Sequence, residues 1–275
     1  MKREDILIEA DELQAKLDDP NLRLYDATIL FFRQEGEQTA HEEYVARHIP
    51  GAAFFDHEGF SDSDHKYRYM VSPEAELAAQ IGKIGISAAA EVVFYTSGYL
   101  PCATRAWWIL RYAGHNNVRV LNGGLAAWQA AGGELAQGDH TYGPATFVTD
   151  LRPEMFADKD EVLAAMRNGN VCTVNTLTAE SYAQGHITDS SLLPCSDLME
   201  GMTTLVADDA LAARLDEEAQ HERIITYCGG GIAATVNAIG HLIAGNPNVS
   251  VYDGSMMEWG GEGLPITKET AVSPT

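Results

Sequence analysis

The sequence predicts an α/β protein made of two similar domains in tandem, each with a mainly parallel sheet flanked by helices. Its 275 residues are enough for two domains, since a domain commonly has about 100–200 residues. Short β-branched or aromatic runs alternate with helical patterns, which favours parallel sheets. The second half of the chain also repeats the first half in order, the mark of an internal duplication.

The repeat is visible in three pairs of segments. NVRVLNGGLAAW (117–128) is echoed by NVSVYDGSMMEW (248–259), and EYVARHIPGA (43–52) is echoed by SYAQGHITDS (181–190). Between these anchors, VVFYTSGYLPCATRAWWILRYAG aligns with IITYCGGGIAATVNAIGHLIAG. Ordered matches half a chain apart indicate a tandem duplication.

The elements follow from composition and periodicity. Runs rich in β-branched and aromatic residues predict buried strands at Leu22–Tyr25, Val92–Tyr95, Val118–Leu121, Val171–Val174, Ile224–Tyr227 and Val249–Tyr252. Helical patterns lie between them at Pro73–Lys83, Ala103–Ala113, Leu125–Ala131, Lys159–Arg167, Asp208–Gln220 and Ile232–Ala244. Gly138, Gly143 and Pro144 interrupt the periodicity. We therefore expect a boundary within 137–150, with domains at 1–140 and 150–275.

Composition excludes several functions. Lys and Arg total 18 against 40 Asp and Glu, a net charge of −22, which disfavours nucleic acids and anionic membrane surfaces. The N-terminus has no apolar core followed by a cleavage site, and no apolar run reaches the roughly 18 residues of a transmembrane helix. The four cysteines contain no C-x-x-C pair, so we expect no metal site and a reducing, cytoplasmic location.

The most informative segment is the strand–loop–helix sequence IITYCGGGIAAT, which begins at Ile224. Ligands of open α/β sheets bind beyond the carboxyl ends of the strands. Glycines let successive amides turn inward around an anion, and we expect at least one of Gly229, Gly230 and Gly231 to have a positive φ. Together with the helix N-terminus, this setting favours the nucleophilic thiolate of Cys228. The alternative is a buried structural cysteine beside a glycine-rich turn.

These residues resemble a known family, the tandem-domain rhodanese-like sulfurtransferases, which include thiosulfate and 3-mercaptopyruvate sulfurtransferases. The matching segments are HIPGA with FFD (His48–Asp56), RAWWILRYAGH (Arg105–His115), VLNGGLAAW (Val120–Trp128), YCGGGIAA (Tyr227–Ala234) and VSVYDGSMMEW (Val249–Trp259). The resemblance implies two rhodanese-like domains. The second would carry the active cysteine, and the first, whose corresponding loop starts at Thr96, would be catalytically silent.

The resemblance also implies the chemistry. Cys228 would take a sulfane sulfur from 3-mercaptopyruvate or thiosulfate, hold it as a persulfide and pass it to a thiol or cyanide. The family's loop amides fall on Gly229, Gly230, Gly231, Ile232 and Ala233. No metal or organic cofactor is implied. A thioredoxin-like reductant could be the acceptor, and we expect a monomer.

The sequence departs from the family at the residues that would bind an anionic donor. No Lys or Arg occurs from Cys228 to Ala238, and the arginines expected near Asn175 and Glu180 are missing. The alternative function is therefore a non-catalytic or persulfide-carrier protein without strong recognition of a small-molecule donor. Arg105 and Arg111 are the candidate cations from the first domain.

Four further residues have structural interpretations. His48 and His186 occupy matching positions in the repeat, which favours a structural role over catalysis. Cys172 is interpreted as a core residue, and so is Cys102, for which the alternative is a second reactive thiol in the first-domain loop.

Overall fold

The computed structural model describes residues 1–31 and 33–269, so residues 270–275 of the predicted second domain lie outside the described chain. The strands are β1 (Leu7–Ile8), β2 (Leu22–Asp26), β3 (Ala53–Phe54), β4 (Glu91–Tyr95), β5 (Val118–Leu121), β6 (Phe156–Ala157), β7 (Val171–Asn175), β8 (His186–Ile187), β9 (Ser191–Leu192), β10 (Met199–Glu200), β11 (Thr204–Leu205), β12 (Arg223–Tyr227), β13 (Val249–Tyr252) and β14 (Ile266–Thr267).

The α-helices are α1 (Ala10–Gln14), α2 (Ala40–Ala46), α3 (Glu74–Lys83), α4 (Leu100–Tyr112), α5 (Gly124–Ala130), α6 (Lys159–Ala165), α7 (Ala179–Gln184), α8 (Asp208–Arg214), α9 (Ala234–Ile243) and α10 (Ser255–Gly261). Short 3₁₀ helices occur at Arg3–Asp5, Glu58–Phe60, Pro153–Met155, Cys195–Leu198 and Glu218–Gln220.

Two five-stranded parallel sheets form the centre of the molecule, which confirms the predicted α/β class. The strand order is β1-β5-β4-β2-β3 in the first sheet and β6-β13-β12-β7-β9 in the second. All pairs within both sheets are parallel. The two orders are the same when each strand is replaced by its counterpart in the repeat, so the duplication extends to topology.

The six central strands lie within one residue of their predicted ends, whereas several helix boundaries were predicted wrongly. The helix expected at Ala103 begins at Leu100, with Pro101 in its first turn, where a missing N–H costs little. The helix expected at Asp208–Gln220 ends at Arg214, and a separate 3₁₀ turn follows. The last predicted helix begins at Ala234 rather than Ile232. Ile232 fits the apolar pattern of the helix, but the glycine loop extends past it.

The two domains meet along helices α4 and α9. The Oγ1 atoms of Thr104 and Thr235 lie 2.6 Å apart in the buried interface. Each threonine is ten residues before the glycine that ends its repeat, Gly114 or Gly245. Equivalent positions therefore face each other, as in a pseudo-two-fold arrangement, and the carboxyl ends of both sheets border the interface.

The segment from 137 to 150, where the sequence predicts a boundary, contains no helix or strand. It packs along the first domain, where the Ala145 N–H donates to the Gly82 carbonyl (2.8 Å) and the Asp150 N–H donates to the Ala113 carbonyl (3.0 Å). The division into 1–140 and 150–275 stays a prediction. Within the described ranges, no helix has the length and apolar character needed to cross a bilayer.

Candidate active site

The glycine loop lies at the carboxyl end of the central strand of the second sheet. Strand β12 ends at Tyr227, Cys228 follows at once, and helix α9 begins at Ala234. Strand β12 is flanked by β7 and β13, which run in the same direction. The loop therefore lies at the edge of the sheet where parallel α/β proteins bind their ligands.

Ser255, which the sequence reading missed, holds the two ends of this loop. Its Oγ accepts the N–H groups of Cys228 and Gly231, both at 3.1 Å, and donates to the Tyr252 carbonyl at 2.8 Å. Ser255 has a φ of 47°, a backbone conformation that a serine adopts rarely. The repeat could have indicated this position, because Ser255 aligns with the glycine Gly124, whose φ is also positive.

The amide of Gly231 is therefore used inside the protein, which speaks against its predicted role in binding substrate; that role stays a prediction. Its N–H donates to Ser255 because the loop must be fixed to the turn after β13. The other predicted amides, those of Gly229, Gly230, Ile232 and Ala233, donate to no acceptor within residues 1–31 and 33–269. These four N–H groups are available for an anion.

Gly231 is the glycine that the loop conformation requires. Its φ is 74°, which confirms the prediction that at least one of the three glycines has a positive φ. A Cβ at Gly231 would lie 2.7 Å from the Asp253 carbonyl oxygen, whereas a Cβ at Gly229 would contact nothing within 4 Å. A Cβ at Gly230 would meet the Met257 Sδ at 3.2 Å, the end of a flexible side chain.

Arg105 reaches the loop from the first domain but does not supply free charge to it. Its guanidinium is 2.6 Å from the Asp253 carboxylate and donates to the carbonyls of Gly231 (3.3 Å) and Tyr69 (2.7 Å). The residue is 1% exposed. Its proposed role as a cleft cation is therefore wrong, because helix α4 faces the domain interface and Asp253 neutralises the charge.

Arg111 is also not a cation of this site. Its guanidinium donates to Asn116 Oδ1 at 2.5 Å and lies over the Trp107 ring, 5.7 Å from its centroid. These partners stand near the amino ends of the strands, at the opposite edge of the first sheet. Arg111 therefore belongs to the packing around the C-terminus of α4.

The other three cysteines are unsuited to thiolate chemistry. All four cysteines are free and buried. Burial raises the pKa of Cys102 to about 12 and that of Cys195 to about 11, and it also raises the pKa of Cys172. Cys195 and Cys172 each have a polar neighbour, the Tyr99 hydroxyl at 3.5 Å and the Ser191 hydroxyl at 3.6 Å from their respective Sγ atoms. Their burial confirms the interpretation of Cys102 and Cys172 as core residues.

The repeated histidines pack against tyrosines. In each domain the histidine Nδ1 lies 2.9 Å from the carbonyl of the tyrosine four residues earlier, in the pairs His48–Tyr44 and His186–Tyr182. The rings of each pair also stack, with centroids 4.5 Å and 3.6 Å apart. Their contacts support the structural interpretation. Among the residues that the structure describes, no cluster of three or more His, Cys, Asp or Glu could hold a metal ion.

The fold and this loop define a class of protein. The model of the rhodanese-like domain family matches residues 9–131 and 158–262, so the chain belongs to the rhodanese-like family, with two copies of its domain. Proteins that match it over nearly its whole length are sulfurtransferases, and the chain is therefore a sulfurtransferase too.

Two of these relatives come from a bacterium and a plant. The chain is 30% identical to the 3-mercaptopyruvate sulfurtransferase of Escherichia coli (strain K12), covering 94% of this chain and 96% of that protein. It is also 30% identical to the mitochondrial thiosulfate/3-mercaptopyruvate sulfurtransferase 1 of Arabidopsis thaliana, covering 94% and 77%. The crystal structure of SseA from Escherichia coli superposes with a TM-score of 0.84 at 29% identity, covering 93% and 99%.

Proposed function

We propose that this sulfurtransferase carries the transferred sulfur on Cys228. It takes a sulfane sulfur from 3-mercaptopyruvate or thiosulfate and delivers it to a thiol or cyanide. The observation that carries the assignment is the position of Cys228, at the end of β12 and before a loop whose amides at Gly229, Gly230, Ile232 and Ala233 have no protein acceptor in the described chain. The names of the relatives support the choice of donors.

The transfer takes two displacement steps. The Cys228 thiolate attacks the outer sulfur of the donor and forms a sulfur–sulfur bond while the donor's bond to that sulfur breaks. The electron pair leaves with sulfite, or with the pyruvate enolate, which then takes a proton. The acceptor attacks the outer sulfur of the persulfide, and its electron pair displaces the Cys228 thiolate. The free loop amides stabilise negative charge on the sulfur in both steps.

The intact mass of the protein after incubation with each donor tests this assignment. The wild type should gain the mass of one sulfur atom, and the gain should disappear in Cys228→Ser. Cys102→Ser and Cys195→Ser are matched controls that should keep the gain, because burial holds both thiols in the protonated form. A gain that persists in Cys228→Ser would refute the assignment.

A persulfide carrier is the second candidate, favoured by the lack of Lys and Arg from Cys228 to Ala238. A carrier would accept sulfur from the persulfide of another protein and would gain no mass from either small donor. Mass measurement with a persulfidated protein and with both small donors separates the two functions.

The surroundings of the reaction are also part of the proposal. The four unpaired cysteines support a reducing compartment such as the cytoplasm, where a thioredoxin-like reductant can serve as thiol acceptor. A monomer is proposed because the two domains of one chain cover each other's strand-to-helix loops.

A further inference from the structure

A cation would strengthen the binding of an anionic sulfur donor by the free loop amides, and the loop itself carries none. No Lys or Arg occurs from Cys228 to Ala238. Arg223, at the opposite end of β12, is paired with Glu161 at 2.8 Å. Lys159 is paired with Glu262 at 2.6 Å. Arg105 is likewise neutralised by Asp253, which makes the exposed cations of the first-domain segment beside the loop the next candidates.

One first-domain segment lies against the active loop. Residues 61–72, here called the covering segment, contact the second domain at two places and helix α4 of the first domain at a third. The Tyr69 carbonyl accepts from Arg105 at 2.7 Å. The Val71 N–H donates to Asp253 Oδ2 at 2.8 Å. The Tyr69 Cδ2 lies 3.7 Å from the position of a Cβ on Gly230. The segment therefore has a fixed place beside the loop.

The backbone of Tyr69 is held in an unfavourable conformation at this point of contact. Its φ is 68°, in the left-handed region that tyrosine rarely occupies. The residue is 6% exposed. Such a conformation persists when surrounding contacts impose it, as Arg105 does here, and such residues cluster at functional sites. The conformation sets the Tyr69 ring beside Gly230.

Arg68 extends from the same point toward solvent. Its Cζ lies 4.7 Å from the centroid of the Tyr69 ring, and its side chain is 62% exposed. Its Nη2 pairs with Glu58, and its other N–H groups have no acceptor in the described chain. An exposed ion pair of this kind contributes little, so an anion with two acceptor oxygens can bind to the open side of the guanidinium.

We propose that Arg68 is the donor-binding cation of the active site. It contacts the carboxylate or sulfonate-type oxygens of a small anionic sulfur donor, while the donor's outer sulfur reaches Cys228. Tyr69 is a positioning residue, since its ring lies beside Gly230 and the Arg68 guanidinium lies over that ring. The inference rests on the proposed function, and it makes the first domain the part of the chain that selects the donor.

Steady-state kinetics with 3-mercaptopyruvate test this proposal. Arg68→Gln should raise KM about tenfold, as expected for one lost charge-assisted contact, and leave kcat nearly unchanged. Lys66→Gln is the matched control. It removes one exposed charge from the same segment, but Lys66 donates to the Tyr67 hydroxyl at 2.9 Å. An equal rise in KM in both variants would overturn the proposal, because net charge would then explain it.

A second measurement does not depend on turnover. Cys228 is alkylated with iodoacetate, which carries a carboxylate, and with iodoacetamide, its neutral counterpart, and the modified site is identified by peptide mass spectrometry. Arg68→Gln should slow the iodoacetate reaction about tenfold and leave the iodoacetamide reaction unchanged. Tyr69→Leu should do the same, whereas Tyr69→Phe keeps the ring and should behave like wild type.

The two proposals fail in different ways. An unchanged ratio of the two alkylation rates in Arg68→Gln overturns the assignment of Arg68, even if Cys228 still gains sulfur. A wild-type protein that gains no sulfur on Cys228 overturns the proposed function, while the alkylation ratio still decides whether Arg68 attracts anions. Because the Arg68 side chain is exposed, Arg68→Gln should fold with an unchanged melting temperature.

Discussion

The two strand-to-helix loops occupy equivalent places in the two domains and differ in whether their backbone amides have acceptors within the protein. In the first domain, the Ser97 N–H donates to the Thr28 hydroxyl at 2.9 Å. The Gly98 and Tyr99 N–H groups donate to the Thr96 hydroxyl at 3.3 and 3.2 Å. In the second domain, most of the corresponding amides have no protein acceptor in the described residues. A loop becomes an anion site when its own side chains leave its amides free.

The strands beside the two loops end differently as well. Asp26 at the end of β2 and Asn175 at the end of β7 hold the same register, opposite Tyr95 and Tyr227. Burial raises the pKa of Asp26 to about 6, and at neutral pH its carboxylate would repel an anion at the neighbouring loop. The amide of Asn175 carries no charge, so the second domain tolerates the anion that the first would reject.

The domains also cover each other's loops by different means. The hairpin formed by β10 and β11 lies on the first-domain loop, where the N–H groups of Leu100 and Gly123 donate to the carbonyls of Met202 and Thr203, both at 2.9 Å. The second-domain loop is bordered instead by the side chain of Met257, which is 45% exposed, and by the covering segment. Backbone hydrogen bonds attach the cover of the first loop, while side chains border the second.

The largest expected effect on activity comes from removing the thiol at the start of the second-domain loop and placing one at the start of the first-domain loop. Cys228→Ser should abolish sulfur transfer. Adding Thr96→Cys to that variant should restore none of it, because the four amides that follow residue 96 are already bonded within the protein and the hairpin covers the loop. The activity with 3-mercaptopyruvate measures both. Recovery of even a tenth of the wild-type rate would show that a thiol at a strand end is sufficient and that the free amides are not needed.

A side chain on the loop glycines should show a smaller and graded effect. Gly231→Val forces a φ of 74° on a branched residue and places its Cβ 2.7 Å from the Asp253 carbonyl. It should lower the free energy of unfolding by about 1 kcal/mol or more and greatly slow persulfide formation. In Gly229→Val the added side chain would lie in open space, so this variant should change the free energy of unfolding little.

Chemical denaturation together with the rate of mass gain separates these two glycines. Equal losses of stability in both variants would contradict the distinction between them.

The smallest expected effect concerns the stability of the first domain. Because the folded state holds the proton of Asp26 more tightly than the unfolded chain does, this carboxyl's contribution is present below about pH 4. It is lost as the pH rises through about 6, by at most about 3 kcal/mol. Asp26→Asn makes the strand end match Asn175 and should flatten the stability curve between pH 4 and 6. The free energy of unfolding, measured across this range, checks it; an unchanged slope would contradict the raised pKa.

Much of this could be predicted because it is local in sequence. The central strands are runs such as Val92–Tyr95, whose composition fits a buried parallel strand, and the duplication is visible as matched letters. Two-residue strands such as β1 and β6 could not be predicted, since two residues show no periodicity. The β10–β11 hairpin contains Gly201 and polar neighbours, which indicate a turn but not the surface that the turn covers.

The sequence by itself determined the fold class, the duplication and Cys228 as the candidate nucleophile, because each depends on residues that are neighbours along the chain. The tertiary structure decided the rest of the site. Arg105 and Gly231 are 126 positions apart, and Val71 and Asp253 are 182 positions apart. No periodicity or motif connects such pairs. Only the packing of α4 against α9 brings Arg105, Asp253 and the covering segment to the glycine loop, and that packing fixed which amides remain free and that Asp253 neutralises Arg105.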